Sequence, residues 1–134
     1  MTPTPVLMAT DYVLIHDHKV LLIKRRFPPY EDLWALPGGF LEPGETLLAC
    51  AVRELFEETN TKPTFSLFVG VYDAPERDRR GRVISAAFVG HTDTPDFKAG
   101  DDAKHCEWHP IDELPQFAFD HDEIVRDALH LIGY

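Results

Sequence analysis

One stretch of this chain has the period of an amphipathic helix, and almost every apolar run around it has the length of a strand. Within residues 46–59, Leu48, Ala51, Val52 and Leu55 recur at i, i+3, i+4 and i+7, with Glu and Arg on the other faces. Asn60 follows where a helix exit asks for a left-handed residue, a geometry Asn accepts second only to Gly. Ahead of the helix, residues 10–15 and 19–24 are β-branched or aliphatic runs flanking Asp17-His18, which predicts a hairpin. Phe27-Pro28-Pro29-Tyr30 is a loop, and residues 33–36 a short strand broken by Pro37-Gly38-Gly39. Beyond the helix, residues 64–72 and 83–91 read as strands separated by a charged loop, residues 73–82. Residues 92–104 read as a loop, residues 106–111 as a last strand and residues 112–115 as a turn. Asp120 is placed to cap a final helix, with Glu123 three residues on and Ile124, Val125, Ala128 and Leu131 as its apolar face. Strands before, between and after two helices predict a single α+β domain over residues 1–134, with a mixed sheet between helices.

Charge narrows the partners. Thirteen Lys and Arg against 23 Asp and Glu leave a net charge of −10, which disfavours a nucleic-acid scaffold and requires a local source of positive field for any phosphorylated ligand. The apolar runs are far short of the ~20 residues of a membrane helix. No basic segment leads into an apolar one at the start of the chain, so the expected location is cytoplasmic, with no membrane partner. Cys50 and Cys106 are too few for a disulfide framework and read as small core residues.

The helix carries more than a core face. Glu54, Glu57 and Glu58 stand at i, i+3 and i+4 and so share one side, with Arg53 as the only base. Like charges at these spacings oppose an isolated helix by a few tenths of a kcal/mol per pair, and no interleaved Lys relieves them. A hard divalent cation with oxygen ligands would; a solvated acidic face is the other reading. Pro37-Gly38-Gly39 lets the backbone pass close by and offer a carbonyl to the same cation.

Counted along the chain, Gly39 is followed after five residues by Glu45, then after seven by Arg53-Glu54-Leu55, one residue, and Glu57-Glu58. This spacing resembles the box of the Nudix hydrolases, with Asn60 and Thr61 standing where the box has Gly and an aliphatic residue. The resemblance implies an αβα sandwich around a mixed sheet and hydrolysis of a nucleoside diphosphate linked to another moiety. By the box positions, Glu54, Glu57 and Glu58 would ligate Mg²⁺, with Mn²⁺ able to stand in, joined by the carbonyl of Gly38. Arg53 and Glu45 would pair to orient them. A further acid from beyond the box would come from Asp101 or Asp102, with Asp102 the catalytic one of the two and Glu107 the second choice.

Residues 77–82 hold four of the chain's eight arginines. Guanidinium groups chelate phosphate bidentately or stack on a base, which makes Arg77, Arg80 and Arg82 candidate substrate ligands; a solvated basic turn is the alternative. The surrounding residues 72–85, together with Phe117-Ala118-Phe119-Asp120-His121 and Trp34 to Gly39, resemble the branch of ADP-ribose pyrophosphatases and related sugar-nucleotide-sensing regulators. The likeness runs over about residues 12–129 and implies ADP-ribose as substrate, cleaved to AMP and ribose 5-phosphate. A nucleoside triphosphate pyrophosphatase of the antimutator kind and a non-catalytic ADP-ribose-binding sensor are the alternatives. The regulators carry a winged-helix DNA-binding domain after this one, and the sequence ends at Tyr134, so an enzyme is expected over a sensor. Dimerisation is common in the branch, which admits a homodimer. Phe27, Tyr30, Trp34, Phe40 and Phe119 are candidates to stack an adenine, or else core residues.

Overall fold

The computed structural model describes residues 1–95 and 103–134 of the chain. Strands β1 (Leu7–His16) and β2 (Lys19–Arg25) form the expected hairpin, with Asp17 and His18 both at positive φ (49° and 59°) in its two-residue turn. Then come β3 (Trp34–Ala35), β4 (Gly38–Phe40), helix α1 (Leu47–Thr59), β5 (Phe65–Tyr72), β6 (Val83–His91), β7 (Ala103–Pro110), a 3₁₀ turn (Ile111–Glu113) and helix α2 (His121–Leu131). Seven strands among the described residues form one mixed sheet. The path is β3-β2-β1-β6-β5, with β4 added on β1 and β7 on β2. β1 and β6 are parallel through nine residue pairs, and the other pairings are antiparallel.

The sheet is apolar on both faces, which is what strands buried between two helical layers require. Tyr12, Leu14, Leu21, Ile23, Ala86 and Phe88 point to one side, where Ala51 and Leu55 of α1 cover them. Their sequence neighbours Val13, Ile15, Val20, Leu22, Ala87 and Val89 point to the other, under Ile124, Val125, Ala128 and Leu129 of α2. The result is the αβα sandwich.

Several boundaries differ from the sequence reading. The last strand begins at Ala103, inside the expected loop, because its pairing with β2 extends to Arg25; Ile111 passes to the 3₁₀ turn. Gly38–Phe40, expected as a break, pairs antiparallel with Ala9, Thr10 and Asp11 of β1. The buried stripe of α1 runs through Cys50, Ala51, Leu55, Glu58 and Thr59, while Leu48 is exposed. Leu131, expected on the apolar face of α2, is likewise exposed. Cys50 and Cys106 are buried free thiols.

The sheet forks at the hairpin. β1 pairs with β2 only at Ile15–Val20 and His16–Lys19; beyond that point β1 takes β4 as partner and β2 takes β3. Residues from both prongs, among them Ala9 and Asp11, Ile23 and Arg25, line one cavity of about 460 Å³.

Candidate active site

The acidic wall of this cavity is built by α1 and the β4 backbone. Thr46 caps α1, its hydroxyl accepting from the Ala49 N–H at 3.1 Å, and Asn60 ends it at φ 58° with its N–H on the Phe56 carbonyl at 2.8 Å. Thr61 turns its hydroxyl to that of Thr59 at 2.6 Å, so the departure at this position is absorbed by a buried hydrogen bond. The three box carboxylates share a side of the helix but not an environment: Glu58 is buried, Glu54 is half-buried and Glu57 is exposed.

Arg53 organises them. Its Nε donates to Glu45 Oε2 at 2.5 Å and its Nη2 to Glu45 Oε1 at 2.9 Å, while Nη1 reaches Glu54 Oε1 at 2.7 Å and Glu57 Oε2 at 3.3 Å. Nη2 also donates to the Phe40 carbonyl at 3.1 Å, which ties the helix to β4. The bidentate guanidinium holds the Glu45 carboxyl down at about 2, and the carboxylates in turn raise the guanidinium. Gly38 donates its N–H to Glu58 Oε1 at 3.1 Å. A side chain on Gly39 would collide with the Glu54 carboxylate, and one on Gly38 with the Thr10 carbonyl and Asp11, so both positions need glycine.

Burial drives the Glu58 carboxyl well above its ordinary range, against the Gly38 N–H and reinforced by Glu54; burial raises Glu54 too, against Arg53. The charge of Glu54 disfavours a second charge on Glu58. A divalent cation would offset that repulsion, and an all-oxygen donor set suits Mg²⁺ or Mn²⁺. Among the described residues, no three His, Cys, Asp or Glu side chains are already drawn into a coordination shell. The fit rests on the chemistry of the donors and on their common cavity.

The cavity is also lined by arginines, and two of them, Arg77 and Arg80, are already ion-paired. Arg77 is buried and grips Asp120 with both arms, Nε to Oδ2 at 2.8 Å and Nη2 to Oδ1 at 2.7 Å. Burial works against its charge, yet Asp120 outweighs burial and the guanidinium is raised. Arg77 lines the cavity with its fork on a protein carboxylate. The capping expected of Asp120 is corrected: it stands at the N-cap of α2 without a side-chain capping bond. Arg80 holds Asp78 by Nε at 3.0 Å and Nη2 at 2.7 Å, and lies 5.5 Å from the Phe40 ring centre and 5.4 Å from that of Phe119. Burial would raise Asp78, but Arg80 prevails and lowers it. Arg82 donates to the Asp73 carbonyl at 2.7 Å and is not among the cavity residues, so its expected place at the substrate is not where the structure puts it.

Arg25 and Arg26 of the β2 end line the cavity and were not singled out in the sequence; neither were Asp11, Asp78 and His121. Asp11 was the detectable one, a lone carboxylate inside an apolar run. Phe27, Phe40 and Phe119 line the cavity, whereas Trp34 packs between His105 and His109 at ring distances of 5.6 and 4.4 Å. Glu107 is exposed on β7 beside His105, away from the cavity. Asp101 and Asp102 lie outside the described residues.

The fold and this arrangement define a Nudix domain, and the NUDIX domain model matches residues 7–128. The chain belongs to the Nudix family. It is 46% identical to an ADP-ribose pyrophosphatase of Methanocaldococcus jannaschii, over 91% of this chain and 72% of that protein. It is 30% identical to an ADPR-responsive transcriptional repressor of Acinetobacter baylyi, over 94% of this chain but about half, 54%, of the repressor. Among solved structures, a bifunctional NMN adenylyltransferase/ADP ribose pyrophosphatase of Francisella tularensis, complexed with AMP and a Mn ion, superposes with a TM-score of 0.84 at 33% identity, over 99% of this chain and 44% of that one. No described helix is long and apolar enough to cross a membrane.

Proposed function

We propose that this chain hydrolyses the diphosphate bond of ADP-ribose, giving AMP and ribose 5-phosphate. The observation that carries the reading is that one cavity of about 460 Å³ is lined both by a carboxylate cluster in excess of its one guanidinium and by several arginines. The archaeal relative supplies the substrate.

In this reading Glu54, Glu57 and Glu58, with the Gly38 carbonyl, hold Mg²⁺ or Mn²⁺. Bound there, a divalent cation supplies charge to the diphosphate and acidifies a water. Arg53 fixes the directions of Glu54 and Glu57, and Glu45 fixes Arg53, so the acidic side chains need little reorganisation when substrate arrives. Arg80, about half exposed and within 5.5 Å of the centres of two aromatic rings, is the cation best placed to meet a phosphate or a base. Arg82 and Arg77 act on that loop rather than on the ligand. Asp102 is the further acid to test by Asp102→Asn.

The test is a substrate panel with Mg²⁺ or Mn²⁺, scored by products. ADP-ribose should yield AMP, and chelation should stop it. Release of inorganic pyrophosphate from a nucleoside triphosphate, with ADP-ribose untouched, would move the chain to the antimutator class. Binding of ADP-ribose without cleavage would make it a sensor.

A further inference from the structure

Lining the same cavity, on the α2 side of the sheet, is a polar cluster that this chemistry does not use. Asp11 is 7% exposed, in the middle of an apolar strand. Its Oδ2 accepts from the Ser85 hydroxyl at 2.5 Å, and its Oδ1 lies 3.3 Å from His121 Nε2. Across the imidazole, Nδ1 accepts from the Leu36 N–H at 3.0 Å. A backbone N–H only donates, so Nδ1 is the bare nitrogen and the proton of the neutral ring sits on Nε2, the nitrogen 3.3 Å from Asp11 Oδ1. Arg77, 3.9 Å from Asp11, closes the cluster through its paired bond to Asp120.

These bonds end on both walls of the cavity. Leu36 is two residues before Gly38, whose N–H holds Glu58, and the Pro37 carbonyl between them accepts from the Tyr12 N–H at 2.9 Å. On the other side, Asp120 and His121 directly follow Phe119, a non-glycine residue at φ 53° whose ring lies 5.0 Å from the Arg25 guanidinium. A left-handed Phe is strained and persists only where its surroundings over-determine it. Here the Ala118 N–H on the Trp34 carbonyl (2.8 Å), Asp120 on Arg77 and His121 on Asp11 and Leu36 do so.

We propose that Asp11 and His121 are a positioning pair for this site: Asp11 fixes the imidazole tautomer, and the imidazole holds the Leu36–Gly38 backbone beneath Glu58 while anchoring Phe119 at the cavity mouth. Neither residue touches the reacting atoms. The inference rests on the carboxylates being the cation site, and its tests contain no nucleotide, so they succeed or fail independently of the substrate.

Histidine ¹⁵N NMR of the wild-type chain with Mg²⁺ present should show His121 neutral and protonated at Nε2 near neutral pH; a ring protonated at Nδ1 or at both nitrogens overturns the proposal. Mn²⁺ affinity, read by EPR of free Mn²⁺, should weaken in Asp11→Asn and His121→Leu by about 10–100-fold, the usual cost of an outer-shell partner. His121→Gln, whose amide offers one acceptor and one donor, should recover most of it. A role confined to stability would lower Tm and leave the Mn²⁺ affinity of the folded protein unchanged in all three variants, which would also overturn the proposal. Should His121→Leu fail to fold, Asp11→Asn and the wild-type spectrum still decide.

Discussion

The two walls of the cavity are both laced with ion pairs, but they are balanced in opposite senses. In the acidic wall a single guanidinium, Arg53, serves Glu42, Glu45, Glu54 and Glu57, and Glu58 is buried against Glu54. In the basic wall Arg77 and Arg80 each have their own aspartate, Asp120 and Asp78. The first wall carries unmet negative charge, which a cation would satisfy. The second is closed on itself and holds the loop and α2 in place. Clusters of charge that look alike in sequence therefore divide into one that waits for a ligand and one that is mostly scaffold.

The contrast breaks first at the acidic wall. Glu57→Gln and Glu58→Gln should each lower kcat for ADP-ribose on the order of a thousandfold, the scale of losing an electrostatic contact to the reacting group, without loss of Tm in the metal-free protein. Near wild-type turnover in both would reject the cation assignment. Arg77→Ala should act in the other currency. Removing one partner of a buried pair leaves Asp120 uncompensated, and chemical denaturation should show a loss of about 3 kcal/mol. Arg80→Ala takes one cation from the buried Asp78 carboxylate and should cost about 1–3 kcal/mol of stability. It should also raise KM for ADP-ribose about tenfold, the worth of one charge-assisted hydrogen bond. An unchanged KM would make the basic wall scaffold throughout.

A pH series sharpens the same comparison. Glu54 and Glu58 have folded-state values above their ordinary one, so the folded chain binds more protons than the unfolded chain. Their contribution to stability is full below the ordinary carboxylate value of 4.5 and is lost as pH rises through the raised values. Glu45, held at about 2, works in a separate window, its contribution lost as pH falls from 4.5 toward that value. Chelator-treated protein should therefore lose Tm as pH rises above the ordinary carboxylate value of 4.5, and Mg²⁺ should restore more at the upper end of that interval. A Tm that rises over that interval with chelator present would contradict the acidic-wall account.

Much of this was legible because it is local. The hairpin turn at Asp17-His18, the limits of α1 and the left-handed exit at Asn60 follow from short-range periodicity and capping. The carboxylate spacing on α1 places three Glu on one side whatever the tertiary context. What was hidden depends on contacts distant in sequence. Nothing near Asp120 indicates that it leaves its helix cap for Arg77, 43 residues earlier. Leu48 reads as core until the strands beneath α1 choose Cys50 and Glu58 instead. Gly38–Phe40 is a strand only because β1 offers it an edge, and the tie from Leu36 to His121 spans 85 residues.

The most direct measurement is ³¹P NMR of ADP-ribose incubated with the wild-type chain and Mg²⁺. The two coupled diphosphate resonances should disappear and be replaced by equal amounts of AMP and ribose 5-phosphate, with no inorganic pyrophosphate, and chelation of the Mg²⁺ beforehand should leave both resonances intact. Diphosphate resonances that persist in the presence of Mg²⁺, and equally after exchange for Mn²⁺ and its subsequent removal, would contradict the central claim.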